Sequence, residues 1–136
     1  MIAMQEDLRA MLLADAELTA LVGTRITWNG RAQGSALPAI VLTTVSEVTD
    51  YTYGASVSLL TSRVQADIWA TSYGSAIGVD RAMVPVLNGY RGSHGATDFD
   101  GIFLESRFDG AEEPAAGAGP IHRISRDVIV KHKEAL

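Results

Sequence analysis

Ile2, Gln5, Leu8 and Leu12 recur along the opening segment at helical spacing, with Leu13 beside Leu12. Glu6 and Asp7 stand in the first turn of that pattern, where the helix dipole favours negative charge. The spacing predicts an amphipathic helix. A second short helical turn follows from Ala16 to Val22, with Asp15 placed to cap it, Gly23 to end it, and Leu18, Leu21 and Val22 facing inward. Arg25–Trp28 reads as a short strand, and Asn29 to Ser35 as a loop that Pro38 closes. Ala39–Val48 is β-branched and nearly free of polar residues up to Val45, so both of its faces, Ile40/Leu42 and Val41/Val45, are expected to be buried in a central strand.

After a turn-rich connection, Thr49 to Ala55, the segment Val57–Trp69 alternates with a period of two. Leu60, Val64, Ala66 and Ile68 share one face; Arg63, Gln65 and Asp67 share the other. Ser72 is placed to cap a helix whose apolar stripe is Tyr73, Ile77, Val84 and Leu87, with Ala76, Val79 and Met83 beside it. Pro85 lies inside that stripe and predicts a kink or an early stop near Val84, because proline lacks an N–H and crowds the carbonyl four residues back. Ile102–Phe108 alternates as a strand, Asp109–Pro120 is a loop rich in Gly, Ala and Pro, and Ile121–His132 is the last strand. Consecutive strands with short connections predict an α+β fold: an antiparallel or mixed sheet of four to five strands with two main helices packed on one face.

At 136 residues the chain is expected to form a single domain, residues 1–136, with room for a sizeable core and none for a second catalytic unit. There is no cysteine, which excludes a thiolate nucleophile, a disulfide scaffold and cysteine-ligated metal. The net charge of −5 has the wrong sign for gripping a nucleic-acid backbone. The acidity is concentrated between residues 98 and 113, beside a basic terminus carrying Arg123, Arg126, Lys131 and Lys133. Glu6, Asp7 and Arg9 interrupt the opening segment, unlike a signal peptide, and no stretch reaches the length of a membrane span. Synthesis in the cytosol is expected.

Candidate chemistry is sparse. His94 with Asp98 and Asp100 invites a small metal-dependent hydrolase reading, but His94 lies in a Gly-rich loop composition, where a solvated histidine is the commoner outcome. Asp98-Phe99-Asp100-Gly101 begins like a calcium loop and then fails it, with Phe103 and Asp109 where Gly and Glu are needed. No phosphate-binding loop or nucleophile elbow is present. No catalytic, cofactor or metal residue is therefore assigned, and no cofactor is expected. Trp28 and Trp69 read as core or interface anchors.

Assembly fits the sequence better. Val57–Trp69 is long and carries no proline or lysine of the kind that protects an edge strand. Acidic and basic segments on one chain are suited to meeting head to tail between subunits, which gives rings or filaments. Arg63, Gln65, Asp67, Trp69, Arg123 and Arg126 are the candidate subunit-interface residues.

Several signatures in order carry a family resemblance: Leu12-Leu13-Ala14-Asp15-Ala16-Glu17-Leu18, then Leu21-Val22-Gly23-Thr24-Arg25-Ile26, then Leu37-Pro38-Ala39-Ile40-Val41-Leu42. Arg63-Val64-Gln65-Ala66-Asp67-Ile68-Trp69-Ala70 with Tyr73, and Leu87-Asn88-Gly89-Tyr90-Arg91-Gly92, continue the series. Together they resemble the tail-completion, or tail-terminator, family of long non-contractile-tailed phages, also found in prophages and gene-transfer particles. Pro85 and the Ala- and Gly-rich Asp109–Pro120 loop depart from its pattern. The resemblance implies a virion structural protein, not an enzyme. It would form a homo-oligomeric ring, typically a hexamer, on the head-proximal end of the tail tube, ending polymerisation and presenting a surface to the head–tail connector. DNA would pass through the ring without specific binding, and no membrane is involved. A head-side adaptor or stopper of the neck is the alternative virion role. The loops Asn29–Ser35 and Asp109–Pro120 are expected to order against partners.

Overall fold

The computed structural model describes residues 3–30, 36–50, 59–112 and 119–134. Its helices are α1 (Met4–Leu13), α2 (Ala16–Val22) and α3 (Tyr73–Leu87). Its strands are β1 (Ile26–Trp28), β2 (Ala39–Asp50), β3 (Leu59–Ala70), β4 (Gly92–His94), β5 (Thr97–Glu112) and β6 (Ile121–Glu134). The strands form one six-stranded sheet in the order β1-β2-β3-β6-β5-β4. Only the β1–β2 pair is parallel. The α+β class and mixed sheet agree with the sequence; the counts do not, since the described residues form six strands and three helices.

The extra strand is β4, whose Gly-rich composition reads as a loop. It is extended because a partner is at hand: Gly92, Ser93 and His94 register against Phe99, Asp98 and Thr97. Gly95, at φ 61°, makes the turn between them in a conformation that favours glycine. β5 likewise runs on to Glu112, into residues expected to be loop, because Asp109 and Gly110 pair with Ile124 and Arg123 of β6. Most of the two loops expected to order against partners, and Val57 at the start of the expected third strand, lie outside the described residues.

Local signals behave as their chemistry requires. The Asp15 carboxylate accepts the Leu18 N–H at 2.9 Å, and Ser72 Oγ accepts the Ser75 N–H at 3.1 Å. Gly23 closes α2 at φ 60°. Pro85 does not stop α3 early, since the helix continues to Leu87. Pro85 and Arg81 are both exposed, so the carbonyl deprived of a partner lies where water reaches it.

The core sits between the helices and one face of the sheet. Val64, Ala66, Ile68 and Ala70 of β3 and Ile124, Val128 and Val130 of β6 point into it, beneath Leu8 and Leu12 of α1 and Ala76, Val79, Met83 and Leu87 of α3. Ile40 and Leu42 extend the layer toward β1. Leu21 and Val45, both expected inside, are exposed. Leu21 lies on the outer side of its short helix. Val45 falls in the β-bulge between Thr44 and Ser46, past the reach of β1, where among the described residues only β3 flanks the strand.

One buried carboxylate ties the first helix to the far edge of the sheet. Asp7 on α1 accepts the Ala96 N–H at 3.2 Å and the Thr97 hydroxyl at 2.5 Å, locking the helix onto the β4–β5 turn. A Cβ on Gly95 would lie 2.1 Å from the Asp7 carboxylate. Gly95→Ala should therefore lower the unfolding free energy by more than about 1 kcal/mol, since it adds backbone strain and displaces a bonded carboxylate. Leu12→Ala, which empties a site with no solvent exposure, should cost about 2 to 5 kcal/mol. Denaturant titration of the two variants checks both.

Candidate functional site

With helices on one face, no helix among the described residues covers the other face of the sheet. Strand parity places Arg63, Gln65, Asp67 and Trp69 of β3 there, together with Arg123, Ser125 and Asp127 of β6 and Ser106 and Phe108 of β5. Five of the six residues expected at a subunit interface thus share one surface. Arg63 pairs with Glu105 at 3.3 Å and Asp127 at 3.2 Å, and Ser106 donates to the same Asp127 carboxylate at 3.3 Å. Gln65 donates to Asp67 at 3.0 Å, and Ser125 also bonds Asp67, which is buried. The Arg123 guanidinium lies 5.4 Å from the Trp69 ring centre and 5.5 Å from that of Phe108, a cation–π arrangement on both sides. Its Nε is buried without a hydrogen-bond partner among the described residues.

Arg126, the sixth, belongs to the opposite face. Its register with Ala66 turns it toward α3, where it makes a two-pronged contact with Asp80, both bonds 2.8 Å. Beside it Arg107 binds Asp109 at 2.8 Å, and Tyr73 donates to Asp109 at 2.5 Å. The Arg107 bond, followed by that of Tyr73, holds the Asp109 carboxyl down at about 2. The Asp109 bond in turn raises the Tyr73 hydroxyl and the Arg107 guanidinium, and the Asp80 bond raises Arg126. Arg126 is a structural residue under the helix, and period-two alternation could have separated it from Arg123.

Two further expectations change. The segment Val57–Trp69 is not an edge, because β3 is flanked by β2 and β6. The acidic and basic segments do not lie on separate patches either. They are β5 and β6, paired along their length within one chain, from Thr97 with Glu134 to Glu112 with Ile121. Much of the charge asymmetry read along the sequence is therefore met inside the subunit.

The hydrolase residues do not converge. His94 registers with Thr97 and Asp98 with Ser93, so the pleat sends His94 and Asp98 to opposite faces. Asp98 is bonded by Ser93, and Asp100 lies 3.8 Å from Arg91. Among the described residues no group of three or more His, Asp or Glu is placed to hold a metal ion. Two concavities, about 250 Å³ beside Met11 and Pro85 and about 70 Å³ beside Gln65 and Phe108, are smaller than ordinary ligand pockets.

One constellation escaped the sequence. Ser62 Oγ lies 2.8 Å from His132 Nε2, and a Glu47 oxygen lies 3.9 Å from the same nitrogen. A catalytic triad needs its acid on the other ring nitrogen, and Ser62 is fully buried, so the arrangement is a packed polar contact. Burial lowers the His132 pKa below its ordinary 6.5, with Glu47 opposing the shift. The folded chain then binds fewer protons than the unfolded chain just below that value. The stability this histidine contributes is complete above about pH 6.5 and is lost as pH falls toward the depressed folded value. Thermal unfolding between pH 7 and pH 5 should show this loss, and His132→Gln should flatten it.

No helix among the described residues is long and apolar enough to cross a membrane. No curated protein matches the chain by sequence. Among solved structures, a chain from the virion of a native gene transfer agent particle superposes with a TM-score of 0.69. It shares 16% identity, and the match covers 96% of this chain and 95% of that one. The likeness spans the helix-backed sheet as a whole. The sequence profile described as Tail completion protein gp17 matches residues 6–89, from α1 through the end of α3. The chain belongs to that tail completion family and is a structural protein of the phage tail, located in the virion.

Proposed function

We propose that the whole chain, residues 1–136, is one subunit of a homo-oligomeric ring, a hexamer, at the head-proximal end of the tail tube. The ring ends tube polymerisation and presents the surface to which the head–tail connector binds. Family membership over residues 6–89 carries the reading. The fold supports it in two ways. The sheet has a broad face that no helix among the described residues covers, with Trp69 and Phe108 around Arg123, and aromatic residues and arginine are among the side chains enriched at protein interfaces. The net charge of −5 per subunit also suits a pore through which DNA slides, because a wall without excess Lys and Arg does not retain phosphates. The protein acts by assembly and not as an enzyme.

Light scattering on the purified chain, together with electron microscopy of its mixture with tail tubes, tests this. Closed rings, free or seated at one end of each tube, and tubes that no longer elongate are expected. A chain that remains monomeric and leaves tube growth unchanged would overturn the reading. Its appearance on the head side in particles lacking tails would instead make it a neck adaptor.

A further inference from the structure

The sheet has two open half-edges, and they are complementary. β1 covers β2 only as far as Leu42, and among the described residues nothing pairs with the outer side of β2 beyond it. β4 and the Gly89–Tyr90 backbone cover β5 only as far as Ile102, and among the described residues nothing pairs with its outer side beyond that either. Past its last bulge each strand is regular, β2 from Ser46 and β5 from Ser106. Exposure follows these limits. Val45 to Thr49 and Glu105 to Asp109 are all exposed, and Val45, Val48, Phe103 and Phe108 supply four of the six large hydrophobics exposed on the described surface.

We propose that β2 of one copy pairs antiparallel, through Ser46–Val48, with β5 of the next copy, through Ser106–Phe108, so that the sheets of neighbouring subunits become continuous. This deepens the ring reading and rests on it. Strand direction permits the join. β2, β3, β6 and β5 alternate in direction, so a second copy set beside the first in the same orientation brings its β2 against β5 running the opposite way. Side-chain parity permits it too. Val48 and Phe108 both lie on the uncovered face, so they come to the same side of the joined sheet. On the helix side, the exposed Glu47 comes opposite Arg107 when Val48 faces Ser106.

The open halves lie toward opposite ends of the sheet, which fixes a stagger. Within one chain Val48 is level with Gly101, through Thr61 and Lys131. Pairing it with Ser106 of the neighbour displaces that neighbour along the strands by roughly 15 Å at ~3.3 Å per residue. A heterologous contact with such an offset is what a sheet needs to close on itself with tilted strands, and closure leaves no free edge.

The chain has no native cysteine, so engineered thiols report cleanly. Val48→Cys and Ser106→Cys change exposed side chains, and circular dichroism confirms that each variant is folded. A short bis-maleimide is applied to material that light scattering shows to be assembled, either free or on tail-tube ends. The double variant should give a ladder of cross-linked multimers on a denaturing gel. A mixture of the two single variants should give only linked dimers, and each single variant alone should give none. Homodimers from either single variant, or a ring in which the double variant stays unlinked, would overturn the edge pairing while leaving the ring intact. Material that never assembles would overturn both.

Discussion

Burial of the sheet on one side only is the constraint on which the rest of this structure depends. β3 and β6 turn Val64, Ala66, Ile68, Ile124, Val128 and Val130 toward the helices, and all are essentially inaccessible to solvent. A slip of one residue in either strand would exchange that face for Arg63, Gln65, Asp67, Arg123 and Asp127, so the register is strongly specified. The small side chains Ala66, Ala70 and Ala76 leave room for α3 to lie close, and α1 completes the layer. The uncovered face is the residue of this arrangement: every second side chain of the central strands is left for solvent or a partner.

Charges buried beneath the helices are paired locally. Asp80 faces two arginines, Arg126 at 2.8 Å and Arg107 at 3.7 Å, and Asp7 is satisfied by the β4–β5 turn. Such groups are costly to bury unless bonded, so their partners follow from packing. The cross-strand pairing of β5 with β6 has a wider consequence. It joins the acidic stretch to the basic terminus within one subunit.

Much of the architecture is legible in the chain. The helical stripe of α1, the Asp15 and Ser72 caps, Gly23 and the alternation of β3 are local signals, set by side-chain spacing and backbone preference, and they survive folding unchanged. The family likewise shows itself through an ordered series of short apolar and glycine signatures. Where local and tertiary terms compete, the sequence misleads. Gly92–His94 has a poor intrinsic preference for strand and becomes one beside β5; Asp109 and Gly110 do the same beside β6. The tolerance of α3 for Pro85 depends on which side of the helix meets water.

The candidate interface divides along the same line. Period-two alternation is enough to group Arg63, Gln65, Asp67 and Trp69, because the pleat is a property of one strand. It does not say which strand lies at an edge. β3 reads as an unprotected edge and is flanked on both sides, whereas β2 reads as central and, among the described residues, is open along half its length. Strand order depends on which segments meet across the whole sheet, and no local pattern encodes it. The sequence by itself therefore determined the helices, the long strands, the buried face and the family. The tertiary structure alone decided the order of the strands, the pairing of Arg126 with Asp80, and the open half-edges, because each depends on contact between segments distant in the chain.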